Sequence, residues 1–215
     1  MIKADLHIHT EYSVDCTTSL EQIITRCLEV GINCLGIADH NTIAGALKMK
    51  EIAPFHIIVG EEILTLDGEV IGFFLNQEIP SKLSMKETVT RIKSQDGLVC
   101  IPHPYDRLRL SVFRDQVFDD IMPDVDIIEA FNARSLSSGN STRAWELARK
   151  YGKPTSAGSD AHTLPEIGNA YVEMPDFNGR DEFLVSLAKG KISGNKSNPT
   201  AHFISTWNRL KKRWS

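Results

Sequence analysis

The chain has 215 residues, of which 41% are hydrophobic and 24% are charged, and its formal net charge is -4. This length suits one domain of ordinary size, and the composition excludes an intrinsically disordered chain. The acidic balance argues against broad coating of duplex nucleic acid, which requires a basic surface.

The cysteines and the N-terminus indicate the compartment. Cys16, Cys27, Cys34 and Cys100 form no CxxC pair, so their spacing is typical of neither a zinc knuckle nor a disulfide framework. No stretch approaches the roughly 20 apolar residues of a membrane span, and no apolar signal core follows Met1. We therefore expect a reduced, cytoplasmic protein.

Short apolar runs alternate with helical patterns along the chain. Capping boxes that start at Thr18 and Ser84 predict two helices, and Gly31 ends the first of them. Asp67-Gly68 predicts a hairpin turn between two apolar runs. Further helices are predicted over residues 42–51, 142–151 and 180–189. The predicted strands cover residues 2–6, 33–38, 56–60, 69–75, 98–102, 125–131, 155–158 and 170–174.

This alternation predicts an α/β domain with parallel strands and helical crossovers. An open doubly wound sheet and a barrel both fit the pattern. Polar clusters follow the carboxyl ends of the predicted strands, and only in a barrel do all those ends meet on one rim. We therefore expect a barrel over residues 1–192, followed by a separate C-terminal segment over residues 193–215.

The polar clusters are rich in metal-binding residue types. His7 and His9 stand two apart on a strand and point the same way, and Asp160 and His162 repeat that spacing. His103 lies between two prolines. Imidazoles and carboxylates are the ligands that borderline divalent metals prefer. The clusters therefore predict a hydrolytic site with several metal ions.

The Asp39-His40 pair follows another predicted strand. We expect His40 to be the metal ligand of the pair. Asp39 either orients an imidazole from behind or stands at the N-terminus of the following helix.

Taken in order, the motifs resemble the PHP (polymerase and histidinol phosphatase) superfamily across about residues 2–175. The resemblance implies a distorted TIM-like (β/α)7 barrel with a trinuclear metal site at the C-terminal ends of the strands. Family members include histidinol-phosphate phosphatases, nucleotide phosphoesterases and accessory domains of DNA polymerases. The motifs are Asp5-Leu-His7-Ile-His9-Thr10, Asp15, Ala38-Asp39-His40, Gly60-Glu61-Glu62, Ile101-Pro102-His103-Pro104 and Gly158-Ser159-Asp160-Ala161-His162.

The resemblance also implies a ligand set for each ion. The first ion would be held by His7, His9, Glu62 and Asp160. The second would be held by His103 and by Glu62 acting as a bridge. The third would be held by Asp15, His40 and His162.

Two features of the motif leave alternatives open. The family's Gly-x-Glu pattern favours Glu62 over Glu61 as the ligand. The hairpin that follows lacks a further His that many family phosphoesterases supply to the second ion, so Glu69 either substitutes as an oxygen ligand or only caps a strand edge. We therefore expect two or three divalent Zn, Mn or Fe ions.

The predicted function is a metal-dependent phosphoesterase for a small phosphorylated metabolite, a nucleotide or a short oligonucleotide, working through a metal-activated hydroxide. Asp15 or His162 is the candidate proton relay. Arg107 and Arg134 are candidate contacts to the substrate phosphate, or else partners of rim acids. The alternatives are a non-catalytic metal-binding or docking module and a metal-dependent amide or lactone hydrolase. Monoester or diester preference and oligomeric state stay open.

The C-terminal segment combines aromatic and basic residues. We expect a final helix whose aromatic face packs on the barrel. Alternatives are a membrane-surface contact, a basic patch for an oligonucleotide backbone and a self-association surface. The face comprises Phe203, Trp207, Leu210 and Trp214, and the basic residues are Arg209, Lys211, Lys212 and Arg213.

Overall fold

The computed structural model describes residues 1–106, 119–198 and 200–214. The helices in this part are α1 (Leu20–Val30), α2 (Ala44–Ile52), α3 (Met85–Ser94), α4 (Ser138–Tyr151), α5 (Gly179–Ala188) and α6 (Thr200–Trp214), with a 3-10 turn at Leu164–Glu166. The strands are β1 (Ile2–Ile8), β2 (Cys34–Ile37), β3 (His56–Leu64), β4 (Glu69–Phe73), β5 (Leu98–Ile101), β6 (Ile127–Asn132), β7 (Thr155–Gly158), β8 (Ala170–Met174) and β9 (Lys191–Gly194).

The described strands form one sheet that curls into a nearly closed barrel. Their order is β7-β6-β5-β4-β3-β2-β1-β8-β9. The chain leaving β7 returns to the end of β1, where the Asp160 amide donates to the His7 carbonyl at 2.7 Å and the His9 amide donates to the Ala161 carbonyl at 3.0 Å. The predicted TIM-like α/β barrel is therefore confirmed.

The hairpin predicted at Asp67-Gly68 is confirmed, the expected parallel pairing was wrong for β8, and β9 was not predicted as a strand. β4 pairs antiparallel with both β3 and β5, because the predicted hairpin turn at Asp67-Gly68 reverses the chain directly. β8 pairs antiparallel with β1 and β9. Strand β9 spans Lys191–Gly194 and pairs with β8, so it crosses the position where the C-terminal segment was expected to begin.

Apolar residues cover both faces of the sheet. In β5, Val99 and Ile101 belong to an outer cluster that includes Ile23 of α1 and Met49 of α2. The alternate residues of the same strand, Leu98 and Cys100, belong to an inner cluster with Phe183 of α5. Since successive strand side chains point to opposite faces, helices cover the outside and a second core fills the inside.

Helix starts agree with the capping predictions to within one residue. Ser84 accepts from the Glu87 amide and caps α3 as expected. The cap of α1 is Ser19, paired with Gln22, one residue later than the predicted Thr18. Gly31 ends α1 at a φ of 75°, a left-handed conformation that glycine adopts without a steric penalty.

Helix α6 exists, but its orientation is the reverse of the expected one. Phe203 and Trp207 are 78% and 68% exposed, whereas Ser205 and Asn208 are buried against the barrel. The barrel surface beneath α6 is a polar rim, so the polar face of the helix makes the better contact. Within the described chain, no helix is long and apolar enough to cross a membrane.

Candidate metal centre

Five strands deliver polar side chains to one rim of the barrel. Because β1, β2, β3, β5 and β7 end at this rim, residues far apart in sequence become neighbours. His103 and Asp160 sit just past β5 and β7 with positive φ angles of 28° and 54°, a strained conformation common at functional sites. All eight residues predicted as ligands meet here: His7, His9, Asp15, His40, Glu62, His103, Asp160 and His162.

The first group of ligand atoms comes from β1 and from the loop after β7. The Nε2 atoms of His7 and His9 lie 3.2 Å apart. His9 Nε2 is 3.4 Å from Asp160 Oδ1. The three residues offer ligand atoms within 4.8 Å of one another, a spacing that one metal ion could bridge.

A second group forms around Glu62. Its Oε1 lies 3.0 Å from His103 Nε2, and His7 completes a set of three. Glu69 approaches from β4, with Oε2 at 3.9 Å from His103 Nε2. Glu69 also joins His40 and Glu62 in a further set, so it lies where an oxygen ligand could substitute for the missing histidine.

The third group surrounds Asp15 in the loop after β1. Its two carboxylate oxygens contact His40 Nε2 at 3.3 Å and His162 Nε2 at 3.2 Å. His9 also offers a ligand atom to this set. The three groups share members, so they form one continuous centre.

The electrostatics of the cluster fit bound cations. Glu62 Oε2 is buried without a hydrogen bond, although imidazole nitrogens of His7, His9 and His40 lie within 3.6 Å. Burial alone would raise the pKa of Glu62, but His7 and His40 hold it well below its ordinary value. Burial lowers the pKa of His9 to about 3, assisted by His162. Burial alone would lower the pKa of His7 and His40, but neighbouring carboxylates outweigh it and raise the pKa of both rings well above its ordinary value, so metal binding at these two rings displaces protons.

Supporting residues lie behind the ligands, and sequence reasoning did not assign Glu129 to this role. Glu129 Oε1 is 3.0 Å from His7 Nδ1, which leaves Nε2 facing the centre, and Glu129 Oε2 accepts from the His103 amide at 2.7 Å. Asn132 donates to Glu129 and Asp160, both at 3.1 Å. The sequence does contain a signal for Glu129, because this acid interrupts an otherwise apolar run from Ile127 to Phe131. Such partners fix the orientation of ligating imidazoles.

The side chains of Glu61 and Glu62 lie in different environments. Glu62 faces the imidazoles, whereas Glu61 points away and accepts from the Ile79 amide at 3.0 Å. Burial raises the pKa of Glu61 to about 7, and Glu78 adds to the effect. This geometry agrees with the choice of Glu62 as the ligand.

The hydrogen bonds that Asp39 accepts come from Thr10, and none among the described residues comes from an imidazole. Asp39 accepts from the amide and the hydroxyl of Thr10, each at 2.6 Å, and so ties the loop after β1 to the end of β2. Helix α2 begins at Ala44 with Ile43 as its cap, and a Cβ on Gly45 would overlap Asp39 Oδ2, so the carboxylate lies beside the first turn of this helix.

Of the two arginines predicted to contact substrate, Arg134 lies among the described residues. Arg134 is buried and contacts His162 Nδ1, and its Nε lies 3.4 Å from Glu166 Oε1. Arg134 therefore forms an ion pair with a rim acid, which was the second role expected for it. Its contact with the substrate phosphate stays a prediction. Arg107 lies outside the described residues.

Helix α6 adds a cation that the sequence did not place at the centre. Arg209 Nη2 donates to Asp15 Oδ2 at 2.7 Å. Lys212 Nζ donates to the carbonyls of Glu11 and Ser13 at 2.6 and 2.7 Å. The polar face of the helix is therefore attached to the loop that carries Asp15.

Comparisons with known proteins identify relatives of this chain. The PHP domain model matches residues 5–116, and the PHP-associated model matches residues 140–192. Two uncharacterised proteins of Methanocaldococcus jannaschii are similar: one is 35% identical over 181 residues (82% of this chain, 72% of the relative), and the other is 39% identical over 145 residues (61% and 82%).

Solved structures share the fold. A two-domain protein of Bacteroides vulgatus that contains a predicted PHP-like metal-dependent phosphoesterase superposes with a TM-score of 0.73 at 13% identity, covering 96% of this chain and 69% of that one. PsfC from Pseudomonas syringae superposes with a TM-score of 0.71 at 16% identity, covering 98% of each chain. At these identities the likeness establishes the architecture alone.

Proposed function

This chain belongs to the PHP domain family, and we propose that it is a metal-dependent phosphoesterase that hydrolyses small phosphate esters. We propose the eight clustered side chains as the ligands of two or three divalent ions, with Glu69 as a further oxygen ligand. The observation that carries the proposal is the set of overlapping groups of His, Asp and Glu whose ligand atoms lie within 4.8 Å of one another.

The charge of the loaded site favours a phosphate substrate. Asp15, Glu62 and Asp160 supply three negative charges, so two divalent ions would leave a net charge of +1 and three would leave +3. If Glu69 also ligates, each value falls by one. With three ions the site is net positive whether or not Glu69 ligates, and it attracts a small phosphate dianion more strongly than a neutral amide; with two ions and Glu69 it is neutral.

The contacts of each residue indicate its role in the proposed reaction. Bound divalent ions supply Lewis acidity that polarises phosphoryl oxygens and lowers the pKa of water. Glu129 holds the His7 ring, and Arg134 holds His162 against the rim. Asp15 and His162, 3.2 Å apart, are the candidates for moving a proton to the leaving group. The proposed substrates are phosphorylated metabolites, nucleotides and short oligonucleotides.

The test combines metal analysis with a substrate screen. Protein loaded with Zn, Mn or Fe is assayed on p-nitrophenyl phosphate, its bis-ester, nucleotides and sugar phosphates. Glu62→Gln should lose bound metal and lower turnover by at least about a hundredfold, because it removes the shared carboxylate of the centre. Glu61→Gln, the adjacent control, should keep both.

Other outcomes contradict the proposal. Full metal occupancy with no turnover of any ester would indicate a binding module. Turnover of amides or lactones without turnover of phosphate esters would indicate an amidohydrolase.

A further inference from the structure

A cavity of about 440 Å³ opens beside the metal centre. His40 and Glu69 belong both to the centre and to the wall of this cavity, so a ligand held by the ions can extend directly into it. Arg209 and Lys212 of α6 also line the cavity. The cavity therefore joins the proposed phosphate site to two cations that the chemistry proposed above does not use.

The cavity combines cationic with apolar surface. Tyr12, Val14 and Leu64 line it and are 45%, 50% and 37% exposed. Arg209 and Lys212 bring two positive charges to the cavity, whereas Glu69 is the one carboxylate among its described lining residues. This combination suits an organic group that ends in an anion.

Arg209 is placed to contact that anion. Its side chain is 49% exposed, and among the described residues its hydrogen bond goes to Asp15 through Nη2. A guanidinium has five N–H donors in a planar fork, so donors remain for a carboxylate or phosphate in the cavity. Lys212 is tethered to the carbonyls of Glu11 and Ser13 and keeps α6 in position.

We propose that Arg209 and this cavity form a second anion subsite, which selects phosphate esters that carry a further carboxylate or phosphate on the organic group. The inference rests on the proposed function, since the scissile phosphate must lie at the metal centre. In this arrangement the organic group lies on Tyr12, Val14 and Leu64, and its distal anion reaches the exposed donors of Arg209. Substrates with a single anionic group would leave those donors unused.

Equilibrium binding tests this without turnover. Non-hydrolysable alkylphosphonates and ω-carboxyalkylphosphonates of matched, increasing length are titrated into the metal-loaded protein by calorimetry at low ionic strength. At the length that spans the cavity, the carboxylate should tighten binding about tenfold, because a charge-assisted hydrogen bond forms at a half-exposed site. Added salt should reduce this gain.

Variants identify the residue responsible. Arg209→Gln should bring the two series to equal affinity, and Arg209→Lys should restore part of the gain. Lys211→Gln removes the same charge from an exposed position of α6 and should keep the full preference.

Three results would overturn the inference. The carboxylate could give no gain at any length, or the gain could survive in Arg209→Gln. Arg209→Gln could also weaken both series equally, which would mean that Arg209 only positions Asp15. Failure of every phosphonate to bind would instead overturn the proposed function, and this inference with it.

Discussion

At the scale of single residues, burial decides what each carboxylate of the Glu61-Glu62 pair can do. Glu62 stays ionised because imidazoles surround it, whereas the pKa of Glu61 rises to about 7 through burial and the nearby Glu78. One oxygen of Glu61 accepts from the Ile79 amide and the other is buried without a hydrogen bond. Glu61 is therefore costly to ionise.

This predicts a pH-dependent effect of Glu61→Gln on stability in metal-free protein. Burial raises the pKa of Glu61 in the folded state from the ordinary value of 4.5 to about 7. Protonated Glu61 therefore stabilises the folded state fully below about pH 4.5, and this stabilisation is lost as the pH rises through about 7. Glutamine stays neutral and still accepts from Ile79. The melting temperature of the variant should match the wild type near pH 4.5 and exceed it by a few degrees at pH 8.

Thermal melts of both proteins across this pH range, with chelator present, provide the measurement. A difference that stays constant with pH, or that falls as the pH rises, would show that Glu61 ionises without a penalty.

Residues within local motifs were predictable, and residues brought in by folding were not. The two-residue spacing of His7 and His9 on a strand is enough to predict that both imidazoles point the same way. Arg209 meets Asp15 across 194 positions of sequence, and no local pattern encodes that contact.

At the scale of elements, α6 shows how a correct periodicity can lead to a wrong packing assignment. Phe203 and Trp207 do share one face, but that face is exposed. The opposite face meets ionic and carbonyl groups of the rim through Arg209 and Lys212, and Arg134 donates to Ser205 at 2.8 Å. A helical pattern identifies a face, whereas the partner surface determines which face packs.

The orientation of α6 predicts a small effect of removing its aromatic side chains. The double variant Phe203→Gln with Trp207→Gln should melt within about 2 °C of the wild type, as exposed substitutions usually do. Loss of two packed aromatic rings would cost about 3–5 kcal/mol each and lower the melting temperature far more.

A matched substitution on the other face gives the contrast. Ser205→Leu places a larger apolar group against the Arg134 guanidinium and should destabilise the protein measurably. Circular dichroism melts of the three proteins provide the comparison. A large loss in the aromatic double variant would mean that the helix packs as its pattern first indicated.

At the scale of the whole molecule, closure of the barrel and assembly of the metal centre depend on the same contact. The end of β7 packs against β1, where the Asp160 amide donates to the His7 carbonyl. Polar clusters at the strand ends predicted the barrel, and the Asp67-Gly68 turn predicted the antiparallel β3–β4 hairpin, but the antiparallel pairing of β8 with β1 is long-range and periodicity does not report it. Closure brings the ligands of β7 and β1 together.

Gly158 makes this closure possible, and its substitution is the sharpest test at this scale. A Cβ at Gly158 would overlap the Cβ of His7 and lie 2.8 Å from its backbone nitrogen. Because backbone cannot move aside as a flexible side chain can, Gly158→Ala should cost about 3 kcal/mol and lower the melting temperature by about 6–12 °C. Gly139→Ala in α4 meets nothing closer than 3.5 Å and should be neutral or stabilising. Thermal melts of both variants are recorded with chelator present, so that the effect on barrel closure is separated from any effect on metal binding. An unchanged melting temperature for Gly158→Ala would mean that β7 does not pack directly on His7.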